Sequence, residues 1–269
     1  MYFGSADRMS YMDTTWRELV KHPSHSDHIV QTYQDEAFLA EAVAEYIGYG
    51  LKQGDAAIII ARPAHIRAFK RALAATRCYP EPALRNGQLR LLDAADTLAK
   101  FMRQGKPQWQ SFHEIVGGLI AELRLQYPNV RAYGEMVDIL WQNGSRDAAI
   151  QLEEYWNDLA KLQTFSLFCA YEMDPLDDTV YGGALECVCK VHTHLIPTRD
   201  YSRFNAAVND ASKEVLDQPL AQMLLSLSAH HRPSTQMPLG QATLLWLKRN
   251  MPRTAGKVLD GVRARCASA

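Results

Sequence analysis

The sequence predicts an α/β protein: a doubly wound, mainly parallel sheet flanked by helices, followed by a C-terminal helical extension. Three observations carry this. AAIIIA (56–61) is a continuous apolar run rich in β-branched residues, the pattern of a strand buried on both faces of a parallel sheet. HIVQTY, EAFLAEAVAEYIGYGLKQG and AAIIIA follow one another as strand, helix and strand, a βαβ unit whose crossover should be right-handed. From Tyr201 onward the pattern is helical, with a break at HHRPSTQMP.

Each element can be justified in turn. Residues 1–27 lack sustained periodicity, and KHPSHSDH reads as an exposed lead-in. The α/β domain spans 28–198. Its first helix closes at Gly54, a second follows at AHIRAFKRALAAT, and the strand LRLLDA ends at the carboxylate of Asp93. DTLAKFMRQG and SFHEIVGGLIAELRLQY are helical patterns. Residues 130–132 begin a strand with Gly134 and Glu135 near its carboxyl end, and MVDILW runs on as a helix. The helix RDAAIQLEEYWNDLAKLQ and the strand TFSLFCAYE come next, and GALECVCKVHTHLIP reads as a further strand. The extension covers 199–269.

Composition excludes several classes. The chain has 269 residues and a net charge of -1, so no global field argues for nucleic acid or a membrane surface. No apolar run approaches the roughly 18–20 residues that a bilayer span needs, and the N-terminus carries charges where a signal peptide would be apolar. The reading is a soluble, cytoplasmic protein. Its five scattered cysteines do not resemble a disulfide framework.

Ligands of open parallel sheets bind beyond the carboxyl ends of the strands. A nucleoside-triphosphatase would place GxxxxGK[ST] at the first such turn. The turn here is TYQDEAF, which has no glycine or lysine and carries Asp35 and Glu36. No GxSxG or HExxH occurs, so no catalytic residue is assigned. In ECVCKVHTH, strand geometry would turn Cys187 and Cys189 to one face and His192 and His194 to the other. One tetrahedral zinc could not collect all four without a break in the strand, so no metal is expected there, and no cofactor is assigned. Cys169, Tyr171 and Glu172 end a strand where function clusters, although Cys169 packed in the core and Glu172 in solvent is an equal alternative. Arg232, Lys248, Arg249, Arg253, Lys257, Arg263 and Arg265 face only Asp260 after position 231; docking on the domain or a partner is preferred over nucleic acid.

GQLRLLDAADTLAKFMRQGKP, VRAYGEMVDILWQNGSRDAAIQLEEYWNDLA and FSLFCAYEMDPL together resemble the MEDS domain, the methanogen/methylotroph DcmR-type sensory domain, over roughly residues 26–198. The resemblance implies a RecA-like core, similar to that of the clock ATPase KaiC but without a phosphate-binding loop. It also implies a sensory, non-catalytic module of bacterial or archaeal signalling. Its expected partners are a small-molecule ligand and a histidine kinase or regulator, or a second copy of the chain. Under this reading a pocket at the carboxyl edge is lined by Tyr33, Glu135, Trp141, Cys169 and Tyr171. Buried Glu135 needs a partner, and Arg62 and Arg131 are both open to it. The competing readings are a nucleotide-binding ATPase with a noncanonical loop, and an interaction or DNA-binding regulator acting through the basic C-terminal helices.

Overall fold

The structure, a computed structural model, describes residues 16–230 and 235–267. Helix α1 (Trp16–Lys21) precedes strand β1 (His28–Tyr33), helix α2 (Glu36–Gln53), strand β2 (Ala56–Ala61) and helix α3 (Pro63–Ala75). The short α4 (Pro80–Arg85), β3 (Leu89–Asp93) and α5 (Ala94–Phe101) follow. A helix over 109–124, α6, contains a π-turn at His113–Gly117. Then come β4 (Val130–Gly134), α7 (Met136–Gln142), α8 (Arg146–Leu162), β5 (Ser166–Glu172), α9 (Ala184–Cys189) and β6 (His194–Ile196). The chain ends in α10 (Tyr201–His230), α11 (Leu239–Asn250) and α12 (Pro252–Ala267).

The six strands form one all-parallel sheet in the order β3-β2-β4-β5-β1-β6. Every residue of β1, β2 and β4 is buried, as an interior strand covered on both faces requires. Two apolar cores lie on opposite faces. Ile29, Tyr33 and Phe168 pack with α2 and α3 on one; Val30, Cys169 and Tyr171 pack with α7 and α8 on the other. This alternation along β1 and β5 decides which side chains can meet.

Local chemistry explains the boundaries. The Asp35 carboxylate accepts from the Ala37 amide at 2.8 Å and caps α2, and Gly54 closes that helix with φ of 86°. Asp93 accepts from the Asp96 amide and caps α5. Gly50 lets α2 approach the Arg131 side chain, which a Cβ at that position would strike. Arg131 is thereby threaded to Asp55 at 2.9 Å and to the carbonyls of Val20, Lys21 and Tyr46 at 3.0 Å.

Three expectations change. Residues 16–21, inside the lead-in read as lacking sustained periodicity, form α1, which buries Trp16 and Val20 against α2. The helical pattern at DTLAKFMRQG stops at Phe101. Gln104 and Gly105 adopt positive φ and reverse the chain, so Met102–Arg103 pairs with Lys106–Pro107 as a small hairpin. GALECVCKVHTHLIP is a helix, a turn and a three-residue strand rather than one long strand. Leu185, Val188 and Cys189 are buried at helical spacing, while Cys187 is exposed.

The extension is docked on the sheet domain. Lys248 pairs with Asp178, the Arg263 Nε donates to the Leu176 carbonyl at 2.8 Å, and Arg265 pairs with Glu214 within the extension. Arg232, one of the basic residues named above, lies outside the described residues. No helix among the described residues is long and apolar enough to cross a membrane.

Candidate metal centre

On the α8 face of the sheet, four elements bring together His28 (start of β1), Glu153 (α8), Cys169 (β5) and His192 (the turn after α9). All four are buried, and their ligand atoms lie within 4.8 Å of one another. His28 Nε2 stands 3.3 Å from Cys169 Sγ and 3.2 Å from Glu153 Oε2. His192 Nε2 is 3.3 Å from Glu153 Oε1, and Cys169 Sγ is 3.5 Å from Glu153 Oε2.

Hydrogen bonds set the direction of each imidazole. The His192 Nδ1 is 2.7 Å from the Val188 carbonyl, which can only accept, so Nδ1 carries the proton. His28 Nδ1 lies 2.9 Å from Asn157 Oδ1, while Asn157 Nδ2 donates to the Val191 carbonyl at 2.9 Å. That fixes the amide so that His28 also donates from Nδ1. In their neutral forms both rings then aim a bare Nε2 lone pair at the Glu153 carboxylate. His192 Nε2 has no hydrogen-bond partner among the described residues although it is fully buried.

Acceptors facing acceptors in a dry interior call for positive charge between them, either a proton on one imidazole, which would then donate to Glu153, or a metal cation. The His28 and His192 rings stand with their centroids 4.0 Å apart. Burial, joined by His192, pushes the His28 imidazole below its ordinary value. Burial alone would raise the Glu153 carboxyl; positive charge on His192 and His28, where they carry a second proton, lowers it below the usual range. Burial, then the Glu153 charge, pushes the Cys169 thiol and Tyr171 phenol up. The phenol therefore stays a donor, to Glu153 Oε1 at 2.7 Å.

The donor set fits a first-row transition cation. Tetrahedral zinc with bonds of about 2.0–2.3 Å separates its donors by about 3.3–3.7 Å. The four separations above lie close to this, and the whole group lies within 4.8 Å, so a bound cation would draw the widest donors inward. Two imidazoles, a thiolate and a carboxylate are its usual ligand types. Imidazoles that donate Nδ1–H to carbonyl oxygens are the usual outer shell of such a site.

A family model described as the methanogen/methylotroph DcmR sensory domain, MEDS, matches residues 27–193. The chain belongs to the MEDS family. It is therefore built on a sensory domain. No curated protein matches the chain. All four donors fall inside the MEDS span, His28 and His192 one residue from its two ends.

The MEDS module holds a second buried network on the opposite face, at the carboxyl edge. Glu135 Oε1 accepts from the Arg62 amide; Oε2 accepts from Tyr133 OH at 3.1 Å and lies 2.6 Å from His65 Nδ1. The Arg62 guanidinium bonds Asp138 at 2.8 Å and lies 3.5 Å from Glu135. Asp138 also accepts from the Glu172 amide and from Gln142, each at 3.1 Å. Of the two arginines open to Glu135, the fold uses Arg62; Arg131 is spent on Asp55 and α1.

The five predicted pocket residues do not line one pocket. Tyr33 sits in the α2/α3 core with its ring 6.0 Å from His65, near Glu135. Trp141 packs edge-on against Tyr171 at 5.5 Å on the α7/α8 face, and Cys169 and Tyr171 both contact Glu153 there. The sheet lies between the two groups because side chains alternate along β1 and β5. Sequence reasoning reached Cys169 and named His192, but missed His28 and Glu153. Glu153 left one signal: it falls on the buried face of α8 with Ala149, Leu152 and Trp156, where an unpartnered carboxylate is costly.

No metal was expected because ECVCKVHTH cannot supply four ligands from one strand. The strand premise behind that expectation fails, since the segment is a helix, a turn and a short strand. It contributes His192 to the donor group, while Cys187 is exposed and Cys189 lies outside that group. The other three donors come from elements remote in sequence.

Proposed function

We propose that the chain is a metal-dependent sensory module in which a zinc-like divalent cation is held by His28, Glu153, Cys169 and His192. The carrying observation is the convergence of two bare imidazole nitrogens, a thiol and a carboxylate, with both Nδ1 atoms pinned outward. The cation supplies charge that balances Glu153 and stabilises the Cys169 thiolate. Four protein donors in a dry interior favour holding over turnover, since catalytic sites keep a position open for water or substrate. Cys169 is fully buried, which shields its sulfur from thiol-directed reagents, so the signal read here is occupancy by the cation itself.

The nucleotide-binding alternative has less support. The Asp35 carboxylate is engaged in capping α2 and in pairing with Arg199 at 3.3 Å, and both Glu135 oxygens already have donors.

Metal analysis of the purified full-length chain tests the proposal. About one equivalent of divalent cation per chain is expected. Cobalt substitution should give thiolate-to-metal charge-transfer absorption that Cys169→Ser abolishes. A metal-free chain that binds neither zinc nor cobalt would overturn the proposal.

A further inference from the structure

We infer that occupancy of the metal centre controls the docking of the C-terminal helices, through a strap at residues 235–237. This rests on the metal reading and adds its output. His192 is the hinge. Its side chain enters the donor group, while its backbone carbonyl accepts from the Thr235 hydroxyl at 3.0 Å. The same hydroxyl bonds the Cys189 carbonyl at the end of α9. The Gln236 amide donates to the Thr193 carbonyl at 2.8 Å, and the Leu195 amide donates to the Gln236 carbonyl at 2.9 Å. Residues 235–236 thus pair with the free edge of β6 in parallel. Thr235 and Met237 are buried, and α11 starts two residues later.

The extension grips the metal-bearing elements at a second place. Lys248 of α11 and Arg263 of α12 hold Asp178 and the Leu176 carbonyl, in the loop that follows β5 and therefore Cys169. Two of the four donors are thus adjacent to segments on which α11 and α12 rest. A cation that pulls His192 Nε2 and Cys169 Sγ toward one point fixes the α9–β6 turn on which Thr235 closes. The turn is also held by the His192 Nδ1 bond to the Val188 carbonyl, the Asn157 bond to the Val191 carbonyl and the Thr193 amide bond to the His28 carbonyl. A cation at His192 Nε2 adds the one tie that depends on the state of the donor group. The hydroxyl of Thr235 is a positioning group: it touches no donor atom and acts through the His192 carbonyl.

Amide exchange of the full chain, loaded with zinc or stripped with a chelator, tests the coupling. Stripping should speed exchange across 235–262 about tenfold or more, leaving β2 and β3 protected. Thr235→Val should keep its zinc yet show fast exchange in 235–262 in both states, and Thr235→Ser, which retains the hydroxyl, should restore the response. Zinc removal with unchanged exchange in 235–262 would overturn the coupling and leave the metal reading intact. Exchange in β2 and β3 that becomes as fast as in 235–262 would also overturn it, the cation then stabilising the whole fold with no preference for the extension. A wild-type chain that never retains zinc would remove the metal reading itself and this inference with it.

Discussion

The two buried polar networks of this domain solve the same problem in opposite ways. Around Glu135, each carboxylate oxygen meets a donor, and the Arg62 guanidinium spans both Glu135 and Asp138. Its cation is covalently part of the chain. Around Glu153, the Tyr171 hydroxyl and Cys169 thiol donate, but the two imidazoles turn their protons outward. The Glu135 network is complete with its own residues, whereas the Glu153 network becomes complete when a cation arrives. Burial makes the difference matter, because an uncompensated charge in a dry interior costs several kcal/mol.

The largest effect should separate the networks by metal. Zinc at about a thousandfold above its dissociation constant should raise unfolding free energy by ~4 kcal/mol, and His192→Gln should remove that gain while leaving the Glu135 network unaffected. Denaturant titrations with and without zinc measure this; equal stability in both conditions would erase the distinction between the networks. Next in size, Arg62→Ala should cost about 2–4 kcal/mol whether or not zinc is present, because it strands two buried carboxylates. The range is set below that of a fully buried pair, since the Arg62 side chain is itself 30% exposed. A cost that varied with zinc would mean that the networks communicate across the sheet.

The smallest effect concerns pH. Its hydrogen bond to Glu135 raises the His65 imidazole above its ordinary value, overcoming the opposing pull of burial. A raised folded-state value means that the protonated ring stabilises the fold fully below the unfolded histidine range. That contribution fades as pH rises through the folded value. The His65 contribution should therefore decline from mildly acidic toward alkaline pH in metal-free protein. It is read as the difference in slope between wild type and His65→Gln, since the lowered His28 contributes in the opposite sense. An unchanged slope in that variant would show that Glu135 is held by Arg62 and Tyr133 alone.

Legibility followed the range of the interactions involved. AAIIIA, the Gly54 stop and the strand end at Asp93 were readable because they depend on neighbours a few residues away. The run over 130–142 was likewise readable as strand then helix. GALECVCKVHTHLIP misled because its alternation of apolar and polar residues also fits a short helical turn. Gly183, with φ of 122°, precedes that helix. The pocket assignment named residues by nearness to strand ends, a sound rule for depth along the sheet. It carries no information on which face each side chain takes once strands from distant sequence positions are set in register.

What the sequence by itself determined was the layered α/β architecture, the acidic first turn without a phosphate-binding loop, and the sensory family to which the chain belongs. Tertiary structure alone decided the metal centre. His28, Glu153, Cys169 and His192 share no local spacing, so no short pattern joins them. Only the order of the sheet, with β1 between β5 and β6, brings three of them beside one another under α8. The protons that turn both imidazoles inward are placed by acceptors supplied by the Val188 carbonyl and Asn157, and those reach the rings only once α9 and α8 have packed. Donor chemistry is written residue by residue, but its convergence on one point is a property of the folded chain.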